Sequence, residues 1–204
     1  MNTEIRDPDE MHALGERIGR LLGAGDLVIL TGPLGAGKTT LTRGIGAGLG
    51  VRGPVQSPTF VLARTHPSLV GGAPLVHLDA YRLSDATELD DLDIDFEGSV
   101  VVAEWGAGLV EEGDSWIEIV IERPVGGDAE GVDPETEDAS EEPVEPRTVT
   151  VTGYGPRWLA DAERAAALRS ALRESGSERG AGTDRGAARE RSAEAGTEQN
   201  GASE

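Results

Sequence analysis

The sequence predicts an α/β fold, three layers deep, on a mixed and mostly parallel sheet that closes with a late antiparallel hairpin. Three observations carry this. Apolar strand-like runs stand at 26–31 (DLVILT), 74–79 (PLVHLD) and 99–104 (SVVVAE), the first with the pattern of a strand buried on both faces. Helical segments alternate with strands early in the chain. Two strand-like segments, 115–122 and 147–153, then come late and in succession, the order of a hairpin.

Each element has a local reason. Residues 7–24 read as a helix with Asp7 as N-cap and Pro8 in the first turn, and Met11, Leu14, Ile18, Leu21 and Leu22 recur at helical spacing. After the 26–31 strand, GPLGAGK turns the chain and a helix follows over 38–48. Gly44, Gly46 and Gly48 each cost that helix about 1 kcal/mol relative to Ala, so its end either frays or packs closely. Residues 60–66 and 74–79 read as strands around a Pro/Gly turn, and Ser84 begins an acidic helix over 84–93. In the 115–122 strand, Trp116, Glu118 and Val120 alternate with Ile117, Ile119 and Ile121. RTVTVTG at 147–153 alternates cleanly and should pair with it. A last helix is expected over 156–173, carrying Trp158, Leu159, Ala162, Ala166, Leu168 and Leu172.

The 204 residues carry a net charge of −20. Residues 124–146 contribute nine acidic and no basic residues, without periodicity, and are expected to be a disordered insert. The Gly/Ser/Glu/Arg-rich tail, 175–204, is expected to be disordered too, which leaves one domain over 1–174. A surface this acidic repels a phosphate backbone, so the chain should not grip nucleic acid by itself. There is no cysteine, which excludes disulfide frameworks, zinc–thiolate sites and cysteine catalysis. The charged opening MNTEIRDPDE lacks the apolar core of a signal peptide, and no run approaches a membrane span, so a cytoplasmic protein is expected.

Chemistry concentrates first in Gly32-Pro33-Leu34-Gly35-Ala36-Gly37-Lys38-Thr39, a complete G-x-x-x-x-G-K-[ST] P-loop between a strand and a helix. It makes the expected architecture P-loop NTPase-like. The amides around Gly32, Gly35, Ala36, Gly37, Lys38, Thr39 and Thr40 would cradle phosphate oxygens. Lys38, the chain's sole lysine, would reach the β and γ phosphates, and the Thr39 hydroxyl would bind Mg²⁺. The downstream match Gly48-Leu49-Gly50-Val51-Arg52-Gly53 to a dinucleotide fingerprint follows a helix rather than a strand, so it reads as a helix end and turn.

Two acids end apolar strands, where ligands bind in open α/β sheets. Asp79 reads either as a Mg²⁺-holding carboxylate, directly or through water, or as a solvated strand end. Glu104, followed by Trp105-Gly106, could polarise an attacking water or ligate the metal. Ser57-Pro58-Thr59 is either a switch segment whose Thr59 senses γ-phosphate or a turn before a strand. His77 shares a strand face with Asp79 and Tyr81, and reads as a packed polar residue rather than a ligand.

The P-loop, Ser57-Pro58-Thr59-Phe60, His77-Leu78-Asp79-Ala80-Tyr81-Arg82-Leu83 and Glu104-Trp105-Gly106 stand in this order. With Leu14-Gly15 and Gly25-Asp26, they resemble the bacterial TsaE family (also called YjeE), the ATPase of tRNA threonylcarbamoyladenosine biosynthesis. The resemblance covers roughly 7–122, more weakly 147–173. It implies a single P-loop domain that binds Mg²⁺ and ATP and hydrolyses ATP slowly. It also implies action with the TsaB–TsaD pair, which moves a threonylcarbamoyl group onto adenosine 37 of tRNAs reading ANN codons. Carried over, Lys38 and the P-loop amides hold phosphates and Thr39 is a Mg²⁺ ligand. Asp79 and Glu104 become the acidic metal or water partners, Thr59 the switch threonine, and Trp105 a neighbour of the nucleotide. Pro33 stands where the family often has an acid and should face outward. The insert and tail are not shared features.

Two other functions compete. A small-molecule P-loop kinase would need a basic lid, and the long insert has no basic residue. A nucleotide-gated docking protein would bind ATP without turnover. A GTPase is set aside because its guanine-reading N/T-K-x-D segment needs a lysine, and Lys occurs here only at 38 and Asn only at 2 and 200.

Overall fold

The computed structural model describes residues 1–58, 61–82, 92–110, 113–123 and 145–173. Seven strands form one sheet: β1 (Asn2–Ile5), β2 (Asp26–Thr31), β3 (Ala63–His66), β4 (Leu75–Asp79), β5 (Val100–Glu104), β6 (Trp116–Glu122) and β7 (Arg147–Tyr154). Their order is β1-β7-β6-β2-β5-β4-β3. The central four, β6-β2-β5-β4, run parallel, while β3, β7 and β1 add antiparallel edges. The predicted mixed, mostly parallel sheet with a late hairpin is therefore present. Among the described residues no helix is long and apolar enough to cross a membrane.

Helices α1 (Pro8–Gly19), α2 (Lys38–Leu49), α3 (Pro156–Leu159) and α4 (Ala162–Arg173) follow. One core joins Leu14 and Ile18 of α1, Leu41 and Ile45 of α2, Trp158 and Leu168 to the inward residues Val28, Leu30, Val100, Val102, Ile117 and Ile119. Ile29, Val101 and Leu78 alternate onto the opposite face and are buried as well. This two-sided burial is what the continuous apolar runs encode.

The glycines of α2 have a packing reason. A Cβ on Gly44 or Gly48 would overlap the carbonyl of His12 or Glu16 on α1, and a Cβ on Gly15 or Gly19 would overlap Leu41 or Ile45 on α2. The two helices thus meet backbone to backbone, and α2 runs to Leu49 without fraying. Gly50 ends it in the left-handed region at φ 67°, so the apparent dinucleotide fingerprint is indeed a helix end.

Several boundaries shift. α1 stops at Gly19, although the turn beyond it still buries Leu22. The single helix expected over 156–173 is two, because Asp161 Oδ1 accepts from the amides of Glu163 and Arg164 at 3.0 Å and starts a new helix. The strand expected over 60–66 is formed at Ala63–His66, after Leu62 turns at φ 64°. β1 was not expected at all: it is a largely polar edge strand with only Ile5 fully buried. The expected helix over 84–93 lies almost wholly, and Thr59, 124–144 and the tail lie wholly, outside the described residues.

Candidate functional site

Parallel strands bring their carboxyl ends to one edge, and the candidate residues gather there. β2 ends into the P-loop, and α2 opens at Lys38 with Gly37 as N-cap at φ 111°, a conformation that disfavours any side chain. No side chain caps α2, so its first-turn amides are not satisfied by a cap. Gly32 is required for a different reason: a Cβ there would stand 2.6 Å from the Ile121 carbonyl. Pro33 is exposed, as expected.

Lys38 is only 6% exposed. Its Nζ donates to the Gly32 carbonyl at 2.9 Å and to the Pro33 carbonyl at 3.2 Å, so the ammonium lies in the curve of the loop. It also stands 4.6 Å from the centre of the Trp105 ring. Trp105 adopts φ 63°, unusual for a residue with a side chain, and this turns the indole out beside the loop at the end of β5. Its neighbour is Tyr81, with ring centroids 5.9 Å apart. Tyr81 is not on the strand with His77 but on the 3₁₀ turn Ala80–Arg82 that follows it.

Glu104 draws the site together. In the register, Leu30, Glu104 and Asp79 form one row across β2, β5 and β4. On β5 the inward residues Val100 and Val102 pack in the core, and Glu104, next on the same face, meets the start of α2. Its Oε1 accepts from Thr39 Oγ1 at 3.4 Å and lies 3.0 Å from His77 Nε2, while Oε2 stands 3.8 Å from Lys38 Nζ. Asp79 is buried in the same row, and its Oδ1 accepts from the Tyr81 amide at 3.3 Å.

The structure therefore brings together Lys38, Thr39, Glu104 and Trp105, with Asp79 on the adjoining strand. His77 is packed, as expected of a buried polar residue, but it is bonded to the site rather than inert. Its signal in the sequence is the two-residue spacing to Asp79, which places both on one strand face. Among the described residues no group of three or more His, Asp or Glu side chains could hold a metal ion by itself. The donors that do converge, a threonine hydroxyl and carboxylates, are hard oxygens suited to Mg²⁺ shared with phosphate rather than to an all-protein cage.

A glycine-rich loop of G-x-x-x-x-G-K-[ST] sequence between β2 and α2, with acids at the ends of neighbouring parallel strands, is consistent with the P-loop NTPase-like fold class. Residues 5–126 match the family model "Threonylcarbamoyl adenosine biosynthesis protein TsaE". The chain belongs to the TsaE family, whose members take part in biosynthesis of threonylcarbamoyladenosine in tRNA. It is 55% identical over 152 residues to the tRNA threonylcarbamoyladenosine biosynthesis protein TsaE of Streptomyces coelicolor, covering 72% of this chain and 93% of that one. The Bacillus subtilis protein of that name is 40% identical over 120 residues, 57% of this chain and 74% of its own. The crystal structure of YdiB from B. subtilis superposes with a TM-score of 0.57 at 28% identity, covering 85% of this chain and 95% of that one.

Proposed function

We propose that this protein binds Mg²⁺ and ATP, hydrolyses ATP slowly, and thereby supports a TsaB–TsaD complex in threonylcarbamoylation of adenosine 37 of ANN-decoding tRNAs. The observation that carries the reading is the placement of one carboxylate, Glu104, against both Lys38 and Thr39 of the P-loop. Lys38 and the first-turn amides of α2 hold the phosphates. Thr39 and Glu104 would hold Mg²⁺, with Asp79 alongside, and a bound ion there neutralises charge on the phosphate oxygens. Glu104 also orients the attacking water. Trp105, 39% exposed beside Lys38, lines the nucleotide's approach.

The chain's role in tRNA modification does not require it to hold tRNA, and its net charge of −20 favours contact with a protein complex over contact with a phosphate backbone. The test is single-turnover hydrolysis of ATP by the full chain, alone and with TsaB–TsaD, scored beside threonylcarbamoyladenosine formation on an ANN-decoding tRNA. Partner-stimulated hydrolysis that is needed for modification supports the reading. Transfer of phosphate to a small molecule, or modification that proceeds with a non-hydrolysable analogue, refutes it.

A further inference from the structure

His77 is fully buried, yet it is polar and both of its ring nitrogens have hydrogen-bonding partners. Nδ1 lies 3.2 Å from the Gln56 carbonyl and Nε2 lies 3.0 Å from Glu104 Oε1. A carbonyl oxygen can only accept, so Nδ1 carries a proton in that bond. Glu104 has a flexible side chain, and its two oxygens must be shared among Thr39, Lys38 and His77. Among them His77 is fully buried and is itself anchored on its far side by the Gln56 carbonyl.

We propose that His77 is a positioning residue: it fixes the Glu104 carboxylate in the orientation that faces Lys38 and Thr39, and ties that orientation to the backbone at Gln56. Gln56 directly precedes Ser57-Pro58-Thr59, so the linkage runs from the strand-end carboxylate to the segment read as a switch. A residue that holds a ligating or reacting carboxylate in place acts on the rate more than on binding, and loss of such an outer contact costs about 10–100-fold. The inference rests on the hydrolytic reading above for its effect on rate, but its geometry stands apart from that reading.

Two side chains separate the two bonds. The amide nitrogen of Gln reaches the position of Nε2, and that of Asn reaches the position of Nδ1. His77→Gln should therefore hydrolyse ATP within about threefold of wild type, whereas His77→Asn should lose about 10–100-fold in rate. Both should bind a non-hydrolysable ATP analogue as wild type does in calorimetric titration. Equal rates for the two variants, or rate losses matched by equal losses of analogue affinity, overturn the proposal. Should either variant fail to fold, the wild-type chain labelled with ¹⁵N-histidine decides. A His77 Nδ1–H resonance that persists in Glu104→Ala, with an Nε2 chemical shift that moves in that variant, is expected, and ring resonances indifferent to Glu104→Ala overturn it. A wild type that neither binds nor hydrolyses ATP would instead refute the hydrolytic reading, and the NMR outcome would still judge the linkage.

Discussion

Gly44→Ala sets two well-calibrated effects against each other. Within a helix, Ala is favoured over Gly by about 1 kcal/mol, so propensity alone predicts a more stable protein. The structure predicts the opposite. The new Cβ would fall more than an ångström inside ordinary contact with the His12 carbonyl, and that neighbour is helix backbone, not a flexible side chain. It can be relieved only by moving α1 away from α2, which also loosens the matching approaches at Gly15, Gly19 and Gly48. Overpacking of this kind costs about 1–3 kcal/mol. At the upper end, which rigid backbone favours, the net destabilisation is about 2 kcal/mol. For a domain of this size, that lowers the melting temperature by about 4–8 °C. Thermal unfolding followed by circular dichroism measures it, with Gly23→Ala as control. Gly23 has no atom within 4 Å of a built Cβ, so that variant should stay at wild type or gain up to about 1 kcal/mol. A Gly44→Ala protein melting at or above wild type would refute the reasoning, because propensity would then have outweighed contact.

Glu104→Ala should lose about 10²–10⁴-fold in single-turnover hydrolysis, the range for a lost general base, with analogue binding kept where its part is to orient water and Mg²⁺-dependent affinity lost where its part is to hold the ion. Unchanged hydrolysis and unchanged affinity would make the carboxylate a mere strand end. Replacing 124–144 by a short Gly/Asn turn should leave melting temperature and ATPase rate near wild type, because Glu122 and Thr148 already pair across the hairpin and Arg123 meets Glu145 at 3.6 Å. A large fall in melting temperature would show that the replaced segment stabilises the domain. His66 supplies a pH dependence: burial lowers its pKa below the ordinary 6.5, so the unfolded chain takes up the proton first as pH falls. Stability should therefore decline below about pH 6.5, and His66→Asn should flatten that decline; melts at pH 7 and 5 that differ equally in both proteins would exclude the contribution.

Much of the site was legible because its signals are local. The P-loop is set by neighbouring residues whose backbone geometry glycine permits, and Gly37 at φ 111° shows why a side chain is excluded there. The runs DLVILT, LVHLD and VVVAE announce strands whose last residues, Asp79 and Glu104, must emerge at the sheet's ligand edge once the strands run parallel. What the chain could not disclose locally depends on register. β1 carries one inward residue and is a strand only because β7 offers it a free edge. Asp26, fully buried, is satisfied by Arg157 at 2.7 Å and Arg164 at 2.6 Å, partners more than 130 positions away. His77 looks like any packed histidine until the alignment of β4 with β5 sets it against Glu104. Backbone conformation and hydrophobic period are properties of adjacent residues, so sequence alone determined them. Which polar groups meet is decided by the register of a whole sheet, and only the assembled core sets that, since a slip of one residue turns every inward side chain outward.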